Sequence, residues 1–166
     1  VGFVGSRYDP NIFAMSAFIR DVWPSVQDLG MELYIYGAVG EGIDPAKDNT
    51  VVIRGFVENG NDIYDEIDIV VNPVLHGAGF KIKTIEALGN GLPLISTQHS
   101  VMGLPEGKED YFLIADKAVE FQKHLRRLHG SFDERTRLGN EAYRIACNHF
   151  SPNACFAQLL QRLNWA

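Results

Sequence analysis

Cysteine is scarce. Cys147 and Cys155 are the only two, too few for a disulfide framework, and both fall in or beside helical patterns near the C-terminal end. Free thiols, buried or half-buried, are expected, in a reducing and therefore cytoplasmic compartment. His76, His99, His124, His129 and His149 show no metal-ligand spacing with one another or with the cysteines, so no structural metal is expected. Clustered positive charge is also missing. The net charge is −6 and the basic residues do not group beyond Arg126–Arg127, which argues against a nucleic-acid partner. No apolar run reaches membrane-spanning length. Val1 leads straight into a strand pattern, so no signal peptide is expected. The spacings of the P-loop and of the G-x-G-x-x-G dinucleotide fingerprint are absent as well.

What is present is an alternation of strands and helices. Val1 to Gly5 reads as a short apolar strand. Met15, Phe18, Ile19, Val22, Trp23 and Val26 fall at helical spacing, with Pro24 either kinking that helix or splitting it. Strands follow at Leu33–Tyr36 and Val51–Ile53, separated by a polar, glycine-rich loop from Ala38 to Asn49. Asp62–Glu66 reads as a short helix. Strands at Ile67–Val71 and Leu92–Ser96 flank a helix marked by Ile82, Ile85 and Leu88, and Tyr111–Ile114 is a sixth strand. Asp116 is placed to cap a helix carrying Phe121, Leu125 and Leu128. Ser131 with Glu134 forms a capping-box pair opening a helix to about Cys147. Ser151–Pro152 starts a last helix, about 151–165, with an apolar face of Phe156, Leu159, Leu160 and Leu163. The pattern predicts an α/β fold: one Rossmann-like, doubly wound parallel sheet of about six strands, over residues 1–166.

The stretch from Asn72 to Thr97 carries the chemistry. A buried strand runs into a loop with Gly77 and Gly79, and the loop runs into a helix. Such a junction forms an anion site, because glycines let the backbone approach and the N–H groups of a helix start point at the ligand. Lys81 and Lys83 add positive charge. Glu86, one turn on, offers a carboxylate to sugar hydroxyls. At about 100° per residue it lies about 40° from Ile82, at the rim of the apolar stripe. A phosphate site beside a hydroxyl reader suggests a nucleotide or nucleotide-sugar. In a doubly wound sheet the ligand lies beyond the carboxyl ends of the strands. The loops at Ser6–Arg7, Gly55–Val57, His76–Gly79 and Thr97–Gly103 are therefore expected to meet at one cleft.

Several segments together resemble the C-terminal, donor-binding half of a GT-B glycosyltransferase of the family-4 type. These are Val1–Ser6 with Pro10–Asn11, Trp23–Pro24, Ile35–Gly37, Ile53–Val57, Gly77–Ala87, Gly91–Thr97 and Gly103–Leu104. The resemblance implies an enzyme that moves a sugar from a nucleotide-diphosphate sugar to an acceptor hydroxyl, with no cofactor. It implies that Glu86 binds the donor ribose. Gly77, Gly79, Phe80 and Lys81 would meet the sugar and diphosphate, with His76 beside them. Phe56 and Val57 would meet the base, and Thr84 would assist at the phosphate. Two positions depart from the pattern. Ala78 stands where the family motif has its first glutamate. Ser6 stands where it has an arginine, with Arg7 following, so the diphosphate falls to Arg7, Lys81 or Lys83. A branch with Gly-x-Gly-x-Arg/Lys-x-Lys before the glutamate is closer and makes Lys83 the natural partner. The acceptor and any general base would then belong to a separate N-terminal domain, toward which the last helix would cross. Peripheral membrane association of the longer enzyme is compatible with this reading, and the domain alone is expected to be inactive. A UDP-sugar 2-epimerase, with His76, His99 and Glu86 for proton work, and a non-catalytic nucleotide or partner module are the alternatives.

Overall fold

The computed structural model describes residues 1–45, 48–58, 60–78, 81–107 and 109–163. Six strands form one all-parallel sheet in the order β3-β2-β1-β4-β5-β6. They are β1 (Gly2–Val4), β2 (Leu33–Tyr36), β3 (Val51–Gly55), β4 (Val70–Asn72), β5 (Leu94–Ser96) and β6 (Leu113–Ile114). The helices are α1 (Asp9–Asp21), α2 (Gly60–Asp65), α3 (Ile82–Gly89), α4 (Ala118–His129), α5 (Phe132–Phe150) and α6 (Pro152–Leu163). The α/β, doubly wound expectation holds.

Side chains alternate across the sheet, so its strands feed two cores. Phe3, Ile35, Val71, Ile95 and Leu113 point to the side covered by α1 and α4, where Met15, Phe18, Phe121 and Leu125 meet them. Tyr36, Val70 and Leu94 point to the other side, against Ile63 and Tyr64 of α2, Ala87 and Leu88 of α3, and Ala142 and Ile145 of α5. Burial of each such large side chain contributes about 1.5–3 kcal/mol.

The structure moves several element ends. Pro24 splits the first helix: α1 stops at Asp21 and a separate 3₁₀ segment runs Trp23–Leu29. Trp23 is fully buried there, and its Nε1 donates to Thr50 Oγ1 at 2.9 Å, tying the segment to the start of β3. The loop after β2 contains a 3₁₀ turn, Ala38–Gly42, that sequence periodicity did not reveal. The fourth strand is shorter than its apolar run, since Ile67 and Ile69 pack into the two cores before the ladder begins. The fifth and sixth strands are shorter than their runs too. Asp116 does not cap α4. Its carboxylate accepts from the Gln98 N–H at 2.8 Å, and Glu120 instead accepts from the N–H groups of Asp116 and Lys117. Ser131 does cap α5 by accepting from Glu134 N–H, but Glu134 is diverted to an ion pair with Arg127. Helix α5 continues to Phe150. Both cysteines are free and exposed rather than buried. On α6, Phe156 and Leu163 are exposed. Among the described residues no helix is long and apolar enough to cross a membrane.

Helices α3 and α5 touch through backbone. A Cβ on Gly139 would lie 2.1 Å from the Gly91 carbonyl oxygen, beyond the end of α3. An alanine within a helix ordinarily adds about 1 kcal/mol over glycine. Here the new methyl meets immobile backbone, so Gly139→Ala should instead lower unfolding free energy by about 1–3 kcal/mol. Urea denaturation measures the sign.

Candidate functional site

Strands β1 and β4 are neighbours, yet the helices that follow them leave to opposite faces of the sheet. Their loops part at the carboxyl edge and open a cleft of about 380 Å³. Gly5, Ser6 and Asn11 line it from the β1 side, and Asn72, His76 and Gly77 from the β4 side. Lys81, Lys83 and Glu86 of the α3 start, and His99 and Ser100 after β5, complete the wall.

A set of buried hydroxyls holds these loops in register. Thr84 Oγ1 accepts from Asn72 Nδ2 at 3.1 Å and donates to the Ser100 carbonyl at 2.9 Å. Thr97 Oγ1 and Ser100 Oγ both donate to the Val74 carbonyl. The loop after β4, the start of α3 and the loop after β5 are thereby joined into one block. The Asn72 Oδ1 atom, buried beside this network, has no partner among the described residues.

The two lysines differ. Lys83 is half-buried, and its Nζ donates to Asn11 Oδ1 at 2.6 Å and lies 4.7 Å from the centre of the Phe3 ring. Burial, and next the charge of Lys81, lower its pKa to about 8, with Glu86 opposing. Lys81 Nζ meets His99 Nε2 at 3.1 Å. Lys81 is the N-cap of α3 and Lys83 lies on its first turn, where helix geometry presents N–H groups without intrahelical partners. Glu86 is exposed at the rim, and its Oε2 accepts from the Tyr64 hydroxyl at 2.9 Å. The arrangement offers an anion two ammonium groups and a helix start, with a carboxylate acceptor one turn away.

The cleft gathers Ser6, His76, Gly77, Lys81, Lys83 and Glu86, as the sequence suggested. Gly79 and Phe80 lie outside the described residues. Thr84 is a correction. It is fully buried with its hydroxyl spent on Asn72 and Ser100, so it braces the loops and has no surface for a phosphate. Arg7 is exposed and paired with Glu41 at 3.1 Å, away from the lining. Phe56, 82% exposed, and Val57, packed against the second core, are likewise not in the cleft wall. The loop after β3 thus does not join the other three there. Residue-by-residue reading missed Asn11, Asn72 and Tyr64. Asn11 was visible only as part of Pro10–Asn11, and its amide also donates to the Ser6 carbonyl at 3.0 Å. Tyr64 had no local signal, because it reaches Glu86 across 22 residues of chain. Among the described residues no group of three or more His, Cys, Asp or Glu could hold a metal ion.

Comparison with known proteins bears on the fold and the family. A protein from Klebsiella pneumoniae described as an uncharacterized 44.6 kDa protein in the cps region is 23% identical over 172 residues. The match covers 96% of this chain and 44% of that protein, so the chain spans less than half the relative's length. Among solved structures, the C-terminal domain of the group 1 glycosyl transferase LpcC from Francisella tularensis superimposes with a TM-score of 0.71 at 15% identity. That likeness covers 91% of this chain and 85% of LpcC's domain. A mutant of S. aureus TarM, in complex with fondaparinux, alpha-GlcNAc-glycerol and UDP, gives 0.75 at 15% identity, covering 98% of this chain and 35% of TarM. The model of the family described as glycosyl transferases group 1 matches residues 1–131, from β1 through α4, and the chain belongs to that family.

Proposed function

We propose that this chain is the donor-binding domain of a glycosyltransferase that moves a sugar from a nucleotide-diphosphate sugar to an acceptor hydroxyl. The observation that carries this reading is the pairing of Lys81 and Lys83 at the start of α3 with Glu86 one turn on, inside a cleft at the sheet's switch point. Family membership and the UDP bound by TarM support it.

In this reading the diphosphate lies against Lys83, Lys81 and the start of α3, and Glu86 accepts hydrogen bonds from the ribose. During transfer the bond from the anomeric carbon to the diphosphate breaks and a bond to the acceptor oxygen forms. The acceptor's proton passes to a base or to the departing phosphate. This domain's contribution is to stabilise the negative charge that gathers on the diphosphate. The two ammonium groups and the backbone N–H groups of the helix start supply the opposing positive charge. The acceptor and any general base belong to a second, N-terminal domain. Two free thiols fit a reducing compartment, and we assign the enzyme to the cytoplasm.

Lys83 gives the first test. Lys83→Ala should weaken a nucleoside diphosphate far more than the matching nucleoside, and equal losses would remove it from the diphosphate site. Its pKa of about 8 adds a pH signature. The protonated form attracts the anion, so diphosphate affinity should hold below pH 8 and fall as pH rises through it. Calorimetry from pH 6.5 to about 9.5, bracketing that midpoint, measures the profile.

Glu86 gives the second. Glu86→Gln keeps the shape but replaces a charged acceptor, whose bonds are worth about 1.5–3 kcal/mol, so nucleotide affinity should fall about tenfold. An unchanged affinity would take Glu86 out of the site.

A transfer assay gives the third. The domain alone should bind donor weakly and transfer nothing, because half a cleft neither fixes the reacting atoms nor excludes water. Turnover by these residues alone would show that the site is complete within them.

A further inference from the structure

Glu86 stands on the open rim of the cleft, and one of its two oxygens is already taken. The Tyr64 hydroxyl donates to Oε2. Tyr64 is not part of the cleft wall. It belongs to the short helix α2, and its side chain is in the core with Ile63, Ile67, Ala87 and Leu88 at 7% exposure. A ring packed in that way leaves its hydroxyl few places to be. A glutamate on an exposed helix rim has several rotatable bonds and no such restraint of its own. The bond between them carries the rigidity of the core to the edge of the cleft. Burial, and next the charge of Glu86, push the phenol's pKa above its ordinary value, so the hydroxyl stays protonated and remains a donor throughout the neutral range.

A carboxylate has two oxygens and about four lone-pair sites. With Oε2 tethered inward, Oε1 is the oxygen left for a ligand. We propose that Tyr64 is a positioning residue: its hydroxyl fixes the Glu86 carboxylate so that Oε1 meets the ribose diol of the nucleotide donor. The inference rests on the ribose role proposed for Glu86. It adds that the rim carboxylate is ordered before the nucleotide arrives, by a residue that never touches it. Without the tether, binding must first immobilise the Glu86 side chain, and that cost is charged against affinity. A phenylalanine at position 64 would fill the core equally and lack only the tether.

The test compares UDP with 2′,3′-dideoxy-UDP by calorimetry, in the unaltered chain and in Tyr64→Phe. The GDP and ADP pairs are run alongside so that the base does not decide the outcome. The unaltered chain should prefer the ribonucleotide. Tyr64→Phe should weaken the ribonucleotide by about two- to tenfold, the cost of ordering one side chain, and leave the dideoxy affinity unchanged. The dideoxy value also reports that the variant's cleft is folded. Equal losses for both ligands would make Tyr64 structural only and overturn the inference, as would a preference that survives the substitution intact. If the unaltered chain does not distinguish the two sugars, the ribose role of Glu86 fails, and this inference fails with it.

Discussion

The arrangement depends on the junction of β1 and β4. These two strands lie side by side and parallel, and the chain leaves them toward opposite faces: to α1 on one side, to α3 on the other. Two loops that part in this way leave a gap that neither can fill. Every group in the cleft is there because it lies at or just past the end of a strand or at the start of the helix that follows. The gap is a consequence of handedness and connectivity, so it would exist with other side chains; what this chain adds is charge and bracing.

The bracing is polar and buried, which makes it directional. Thr84, Asn72, Ser100, Thr97 and the Val74 carbonyl share hydrogen bonds that have one satisfactory geometry. An apolar contact would tolerate sliding of the α3 start by a fraction of an ångström; this network does not. Lys83 shows the cost of the same closeness. Its ammonium is drawn out of water beside another lysine, and Asn11 with the Phe3 ring offsets part of the loss. A group held in that state gains more from an arriving anion than a solvated lysine would, because less water must be displaced.

The far side of α3 is set by α5. Gly139 and Gly91 let the two backbones approach within reach of direct contact, and Ala87, Leu88, Ala142 and Ile145 fill the seam. Helix α3 is therefore gripped at both ends: by hydroxyls at the cleft end and by close glycine packing at the other. Its length, Ile82–Gly89, keeps the cleft and the α5 contact within two turns of each other.

The sequence by itself determined the element order, the two-faced sheet, and the chemistry of the segment after β4. Those depend on local periodicity and on residue types close in the chain: glycines before a helix, lysines at its start, Glu86 one turn on. It did not determine which polar side chain faces the cleft and which braces the fold. Thr84 and Lys83 are adjacent in the chain, and only packing turns one inward to Asn72 and Ser100 and leaves the other at the cleft. Asp116 reads as a cap until Gln98 claims it, and Arg7 reads as a phosphate partner until Glu41 stands beside it. The Tyr64–Glu86 bond joins elements with a strand between them, so no window of sequence contains it. Periodicity fixes which way a residue faces. Which partner it finds there depends on how the helices settle on the sheet, and that is decided only when the whole chain packs.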